Sequence, residues 1–319
     1  MPGNCKIFKI WRYSAMATSD NLIVTAGLGY SPHQLGPFLK SARQHVPQAD
    51  VVIFSHTADE KYKNHIADLN GRARVVVADG YQFKDYLWKF QKLRRFVKST
   101  GLGNLPRYFS GVLGKQNSLI HKSSLLHVQI ARYIWINAFL RGLEAKPDMV
   151  LLTDSRDVYF QGDPFEGSND LIMCGEEPMN IGDCPTNAGW IESSYSKALL
   201  GDVGACPVLC SGVTLGNFTN VVAYAEAMVS DIQENALKLV GRLGNDQGIH
   251  NKILHKDRRL PFTTSRNGDE LIATLHNSDL GEFWFSETQG LLTKDQRPVK
   301  IVHQYDRHER LRDWVNKTY

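Results

Sequence analysis

The segment VLLTDSRDVYFQGDPF, residues 150–165, joins a short apolar run to closely spaced carboxylates. The run has the length and composition of a strand buried inside a parallel sheet. Asp154 and Asp157 follow this run directly, and Asp163 comes after a second short run. Carboxylates at the carboxyl end of such a strand point into the crevice where open α/β sheets bind ligands. The segment therefore predicts a ligand site at this edge of the sheet.

Two neighbouring carboxylates repel each other unless a positive group lies between them, and a divalent cation such as Mn²⁺ or Mg²⁺ is the usual solution. We therefore predict that Asp154 and Asp157 bind a divalent cation whose remaining positions accept phosphate oxygens. A purely structural alternative stays open, in which Asp154 caps a turn and Asp157 pairs with a neighbouring arginine.

Strand-like and helix-like segments alternate through the first half of the chain. The predicted strands are 22–26, 50–56, 74–79 and 149–153, and the predicted helices are 33–45, 58–70 and 121–143. Such alternation predicts an α/β fold with a mostly parallel central sheet covered by helices. A strand at 208–216 and a helix at 219–240 follow later in the chain.

One domain is predicted for residues 1–319, because no segment has the composition of a linker. Within it we expect a nucleotide-binding half over 22–160, an acceptor and sugar half over 161–299, and a closing C-terminal tail over 300–319. Residues 81–120 interrupt the alternation with a basic amphipathic stretch and several glycines, and they are predicted to form a helical insertion.

Composition limits the classes of function. The 319 residues are 42% hydrophobic and 22% charged, in the range of globular enzymes, and the net charge is only +4. The chain has no concentrated basic run, so nucleic-acid binding is not expected, whereas a phosphorylated ligand is compatible. The first twenty residues contain no apolar run of signal-peptide or transmembrane length, and the five cysteines are an odd number. We therefore expect a cytoplasmic protein without a transmembrane segment.

The acidic segment resembles the DxD region of glycosyltransferases of the GT-A type, especially glycosyltransferase family 8 and related nucleotide-sugar transferases. In that family one residue separates the two aspartates, whereas Ser155 and Arg156 separate them here. Counted back from Gln161-Gly162-Asp163, Asp157 matches the second aspartate and Ser155 the first. The resemblance leaves open whether Asp154 binds the metal or the ribose of the donor.

Further matches follow in the same order along most of the chain, and the resemblance implies a role for each. Arg132, Asp246 and Gln247 are implied in catalysis. His303 is implied as the third metal ligand beside Asp154 and Asp157. The residues implied to contact the donor are Thr25, Ala26, Gly27, Arg132, Asp154, Ser155, Ser211, Gly212 and Arg307. Cys210 stands where the family has an asparagine beside the transferred sugar.

The resemblance implies a metal-dependent hexosyl- or pentosyltransferase that uses Mn²⁺ or Mg²⁺. Its expected partners are a nucleotide-diphosphate sugar and a glycan or other hydroxyl acceptor, with retention of anomeric configuration. An inactive relative that binds a sugar or nucleotide stays open as an alternative. A nucleotide-dependent oxidoreductase is a weaker one, because Gly27 and Gly29 follow the first strand but Pro32 replaces the third glycine of the dinucleotide motif.

Overall fold

The computed structural model describes residues 19–57, 59–78, 126–167, 170–239, 242, 244–258 and 260–319. The insertion predicted at 81–120 lies outside these residues. The strands are β1 (Asn21–Ala26), β2 (Asp50–Ser55), β3 (Ala73–Val77), β4 (Met149–Thr153), β5 (Val158–Phe160), β6 (Ile172–Asn180), β7 (Pro207–Asn217), β8 (Phe262–Ser265), β9 (Ile272–Thr274), β10 (Phe283–Ser286), β11 (Gly290–Thr293) and β12 (Ile301–His303). The α-helices are α1 (Gly36–His45), α2 (Glu60–Leu69), α3 (Val128–Gly142), α4 (Pro185–Ser194), α5 (Lys197–Val203), α6 (Phe218–Leu239), α7 (Asn245–Asn251) and α8 (Glu309–Thr318).

The main sheet has the strand order β3-β2-β1-β4-β7-β6-β8. Strands β3, β2, β1 and β4 are parallel to one another, and β6 is parallel to β8. Strand β7 runs antiparallel to both of its neighbours. The prediction of an α/β fold with a mostly parallel central sheet is thus confirmed.

Helices cover both faces of this sheet, as the alternation of strands and helices predicted. Successive side chains of a strand point to opposite faces, so Leu22 and Val24 of β1 join a buried cluster with Ile130 of α3, whereas Ile23 joins another with Phe38 of α1. Burying each such side chain contributes roughly 1.5–3 kcal/mol. None of the described helices has the length and apolar character needed to cross a bilayer.

Strand β7 is longer than its neighbour β4 and extends past it. The pairing matches Met149 with Asn217 and Thr153 with Val213. The first part of β7, which includes Cys210, Ser211 and Gly212, therefore lies beyond the carboxyl end of β4. The chain that leaves β4 meets this projecting part, and the Asp154 N–H donates to the Gly212 carbonyl at 2.8 Å.

A small sheet carries the end of the chain back to the acidic segment. Its order is β5-β12-β9, with β12 antiparallel to β5 and parallel to β9. His303, the last residue of β12, pairs with Val158, which directly follows Asp157. The apolar pair Ile301-Val302 thereby fixes His303 next to residues far away in the sequence.

The close approach of β6 to β9 generates the first prediction. A Cβ atom added at Gly175 of β6 would overlap Oγ1 of Thr274 and lie 3.0 Å from Cγ2 of Ile272. We expect Gly175→Ala to lower the free energy of unfolding by about 1–3 kcal/mol, because overpacking a filled interior forces side chains or backbone to move. Urea unfolding measures this difference.

The matched control is Gly189→Ala, because an added Cβ there meets no atom within 4 Å and the residue lies in α4. This variant should be as stable as the parent or up to about 1 kcal/mol more stable. Equal unfolding midpoints for the Gly175 variant and the parent would contradict close packing of the two sheets.

Candidate functional site

The site lies at the carboxyl edge of the parallel strands, between β1 and β4. In the sheet, β1 lies between β2 and β4. The chain first adds β2 and β3 on one side of β1 and then crosses to the other side to form β4. Such a reversal of strand order opens a crevice at the carboxyl ends of the strands, where ligands bind. Ala26 ends β1 at this point, and Asp154 follows the end of β4.

Asp154, Asp157 and His303, the three predicted metal ligands, converge in this crevice. One ligand atom from each side chain lies within 4.8 Å of the other two. His303 Nε2 is 3.5 Å from Asp154 Oδ2 and 3.9 Å from Asp157 Oδ1. The side chains come from the ends of β4 and β12 and from the start of β5, so the fold rather than the local sequence brings them together.

An unpartnered nitrogen shows that this group fits a cation. His303 is only 1% exposed, and its Nε2 atom makes no hydrogen bond within the described part of the chain. A buried polar atom without a partner costs free energy. Carboxylate oxygens are ligands that Mn²⁺ and Mg²⁺ both prefer, and the imidazole nitrogen favours Mn²⁺ over the harder Mg²⁺, so the donor set fits the predicted divalent cation.

A bend in residues 154–157 lets two aspartates that are three positions apart face the same point. Ser155 is buried and donates its hydroxyl to the Ala26 carbonyl at 3.3 Å. Arg156 points outward and pairs with Asp306 at 2.9 Å. Arg156 also lies 3.8 Å from Asp157 Oδ2. This contact is the pairing with a neighbouring arginine that the structural alternative expected for Asp157. The other oxygen, Asp157 Oδ1, still faces His303.

Arg132, on α3, lies between two carboxylates. Its guanidinium binds Asp154 Oδ1, and its other terminal nitrogen is 3.1 Å from Asp246 Oδ2 and donates to the Ser211 carbonyl at 3.3 Å. Burial opposes the charge, but Asp154 and Asp246 raise the pKa of Arg132 well above its ordinary value. A direct contact of this arginine with the donor stays a prediction.

The charges of the group are set by burial and by mutual contacts. Burial acts to raise the pKa of Asp154, but Arg132 and His303 outweigh it and hold that pKa below its usual range. Burial raises the pKa of Asp157, against the opposing charge of His303. Burial acts to lower the pKa of His303, yet Cys210 and Asp154 raise it well above the ordinary value. The pKa values of Asp157 and His303 are thus both raised above their ordinary values, so a cation competes with protons for these two groups.

Asp246 and Gln247 begin α7 and form a polar wall beside the three converging side chains. Asp246 is buried and accepts from the Ser211 hydroxyl at 3.2 Å. Gln247 donates to Glu177 at 2.8 Å and to Asn187 at 3.0 Å. Burial raises the pKa of Glu177, although the Gln247 hydrogen bond lowers it. The predicted residues Arg132, Asp246 and Ser211 therefore contact one another, and the Ser211 N–H joins Gln247 to them by donating to its Oε1 at 3.5 Å.

Three side chains of this region were missed by the sequence analysis. Glu177 lies on β6 and Asn187 on α4, both buried against Gln247. Tyr30 follows β1. Burial raises its pKa, and the nearby Arg156 lowers it whereas Asp154 raises it, so the tyrosine lies close to the charges of the site. The glutamate pair Glu176-Glu177, which lies between apolar residues, was the available signal for Glu177, since a buried carboxylate needs a partner.

The remaining predicted donor contacts lie around the same crevice. Thr25 is buried in β1, and its hydroxyl has no hydrogen-bond partner within the described residues. Gly27 donates its N–H to the Phe54 carbonyl at 2.8 Å. A Cβ atom at Gly212 would overlap Cε1 of His303 and lie 2.6 Å from its Nε2. Arg307 is exposed and lies 3.3 Å from Asp306. Their roles toward a donor stay predictions.

Comparisons with known proteins find similarity to solved structures. No protein-family model and no curated protein matches the chain. A crystal structure of the galactosyltransferase LgtC with donor and acceptor sugar analogs is similar at a TM-score of 0.48 and 13% identity, covering 93% of this chain and 95% of that one. An active-site mutant of LgtC gives a TM-score of 0.49 and 14% identity at the same coverage.

Removing one carboxylate from the converging group tests whether it binds a cation. We expect Asp157→Asn to weaken Mn²⁺ binding by more than about 100-fold. Loss of a group that only hydrogen-bonds to a metal ligand already lowers metal affinity about 10–100-fold, and Asp157 is a predicted ligand itself. The fold should persist, since asparagine keeps the size of the side chain. Electron paramagnetic resonance of free Mn²⁺ measures the affinity. Asp183→Asn, at an exposed aspartate, controls for the change in net charge, and an unchanged affinity in Asp157→Asn would rule out the site.

The raised pKa values of Asp157 and His303 predict a pH dependence. Both groups hold protons at pH values where free side chains have lost them, so a cation must displace those protons. Mn²⁺ affinity should therefore rise as the pH is raised above 6.5, the ordinary pKa of a histidine, with proton release on binding, and the slope should be smaller in His303→Ala. Calorimetry in buffers of different ionisation enthalpy measures the proton release, and a pH-independent affinity would contradict the arrangement.

Proposed function

We propose that this chain is a metal-dependent glycosyltransferase that moves a sugar from a nucleotide-diphosphate donor to a hydroxyl group of an acceptor. The observation that carries the proposal is the meeting of Asp154, Asp157 and His303 at the strand-order reversal of an α/β sheet. A buried wall of hydrogen-bonding side chains adjoins the same point. The two parts match the two parts of a nucleotide sugar, a charged diphosphate and a polyhydroxyl ring.

The diphosphate would lie against the three converging side chains. A Mn²⁺ or Mg²⁺ ion held by Asp154, Asp157 and His303 would neutralise the negative charge that grows on the diphosphate as it leaves. Arg307 follows shortly after His303 and is exposed, so its guanidinium would exchange its pairing with Asp306 for the same phosphates. Fixed positive charges placed where charge develops lower the barrier without further reorganisation.

The nucleoside would lie over the carboxyl end of β1. Thr25 and Ala26 end this strand, and Gly27 and the half-buried Tyr30 follow it. A tyrosine ring offers an apolar face to a base and a hydroxyl to the ribose. Ser155, bonded to Ala26, holds the acidic segment against this end of the strand.

The transferred sugar would face Asp246, Gln247 and the neighbouring Ser211. Arg132 is held by Asp154 and Asp246, so its proposed effect is to fix those carboxylates and to favour their charged form in a buried place. Asp246 then remains a negative group near the positively charged sugar centre of the transition state. From the resemblance to family 8, we propose retention of anomeric configuration and a glycan as acceptor.

The buried Glu177 and Asn187 extend this wall beyond Gln247. Each accepts a hydrogen bond from the Gln247 amide, and Glu177 Oε2 has no partner within the described residues. Such groups can bind hydroxyls of the sugar or of the acceptor. An oxidoreductase is disfavoured, because Ser55 and His56 follow β2 at the position where a dinucleotide-binding chain needs a carboxylate for the ribose.

A donor screen tests the proposed function. Nucleotide sugars differing in base and sugar are added with Mn²⁺ or with a chelator, and the melting temperature and the released nucleotide are measured. We expect one class of donor to raise the melting temperature only with Mn²⁺, because a ligand that binds the native state stabilises it. The same donor should be cleaved slowly in water and faster with a hydroxyl acceptor, and the product's anomeric proton coupling should show retention.

Asp246→Asn provides the matched variant for this screen. It should still bind Mn²⁺ and the donor but transfer the sugar much more slowly, because Asp246 lies beyond the three converging ligands. Metal-dependent binding with no cleavage by the parent would identify an inactive relative. No stabilisation by any nucleotide sugar would contradict the proposal.

A further inference from the structure

We infer that Cys210 is a positioning residue of the metal site, whose thiol holds the His303 imidazole with its Nδ1–H toward sulfur and its Nε2 toward Asp154 and Asp157. The inference rests on the proposed function, because it takes His303 to be a metal ligand. The cysteine stands in the projecting part of β7, where the resembling family has an asparagine. Its assigned partner here is the histidine.

The geometry holds the ring from two sides. Cys210 Sγ lies 3.4 Å from His303 Nδ1, and both residues are at most 2% exposed. On the other side, Gly212 leaves room for the ring, since a Cβ there would lie 2.6 Å from Nε2. Cys210 and Gly212 belong to the same strand and point the same way, because residues two apart share one face. The imidazole therefore lies on the surface of β7 with one nitrogen on sulfur.

The two nitrogens of an imidazole have opposite requirements when one of them binds a metal. The binding nitrogen must be unprotonated, so the proton stays on the other nitrogen, and the partner of that proton fixes the tautomer and the orientation of the ring. His303 Nε2 faces two carboxylates and makes no hydrogen bond within the described residues. Nδ1 faces the thiol. The sulfur is thus the group that accepts the Nδ1–H when Nε2 binds a cation.

Sulfur is a weak acceptor compared with the carboxylate or carbonyl oxygen that usually orients a metal-binding histidine. A purely space-filling thiol would contribute to stability alone. A positioning thiol also contributes to metal affinity, and an oxygen acceptor in its place restores that part. This difference separates the two roles.

The experiment compares Mn²⁺ affinities of the full chain by electron paramagnetic resonance. Cys210→Ala should bind Mn²⁺ about 10–100-fold more weakly, as for the loss of other groups that orient a metal ligand. Cys210→Ser keeps an acceptor and should recover most of the affinity that Cys210→Ala loses. Cys174→Ala removes another fully buried thiol, on the adjacent strand β6, and should leave the affinity unchanged.

The result for His303→Ala distinguishes failure of this inference from failure of the proposed function. If His303→Ala binds Mn²⁺ as the parent does, the proposed metal site is wrong. If His303→Ala loses binding but Cys210→Ala keeps the parent's affinity, the site stands and the role of Cys210 is overturned.

Histidine ¹⁵N spectra of the Mg²⁺-loaded parent test the inference without any variant at Cys210. A proton on Nδ1 of His303 is the expected result. A proton on Nε2 would overturn the inference.

Discussion

Asp154 joins the two parts of the site, because its two carboxylate oxygens have different partners. Oδ1 binds the Arg132 guanidinium, and Oδ2 faces His303 Nε2 at 3.5 Å. Arg132 in turn binds Asp246, so one ion-pair chain, half-buried at Asp154 and buried at Arg132 and Asp246, runs from the converging metal ligands to the polar wall. Removing one member of a buried ion pair costs about 3–5 kcal/mol, because it leaves an unpaired charge. The positions of Asp154 and Asp246 are therefore coupled, and with them the places proposed for the diphosphate and for the sugar.

The topology supplies this carboxylate with its neighbours from distant parts of the chain. Strand β7 is antiparallel to β4 and longer, so its projecting residues lie beside Asp154. The pairing of β12 with β5 brings His303 next to Asp157. A strand that merely continued the parallel series would place its own carboxyl end there instead. The antiparallel strand β7 and the small sheet thus add side chains to the carboxyl edge of the parallel strands. A cation bound there would have ligands from several separate elements.

Sequence patterns predicted the fold class and the converging residues, but they missed part of the sheet. Apolar runs such as 22–26 and 149–153 mark buried parallel strands, because such strands are covered on both faces, and the structure has strands at both places. The strand carrying Glu177 was missed, since its segment contains Gly175, adjacent glutamates and a proline, and its pairing with β7 is irregular. Only the contact with Gln247 explains why that glutamate is buried.

The sequence pattern alone could not assign the first residue of the DxD motif, because the two aspartates are spaced differently here. The resemblance to the DxD motif favoured Ser155 for the first position, but a bend at 154–157 puts Asp154 with Asp157 and directs Ser155 to Ala26. The pairing of Arg132 with two carboxylates was also beyond sequence reasoning, because it depends on three separate elements.

Anomalous diffraction from a crystal soaked with Mn²⁺ and a nucleoside diphosphate tests the central claim most directly. A single manganese peak about 2.0–2.3 Å from Asp154, Asp157 and His303, in contact with the diphosphate, is the predicted result. A nucleotide bound elsewhere, or a crevice without manganese, would contradict it.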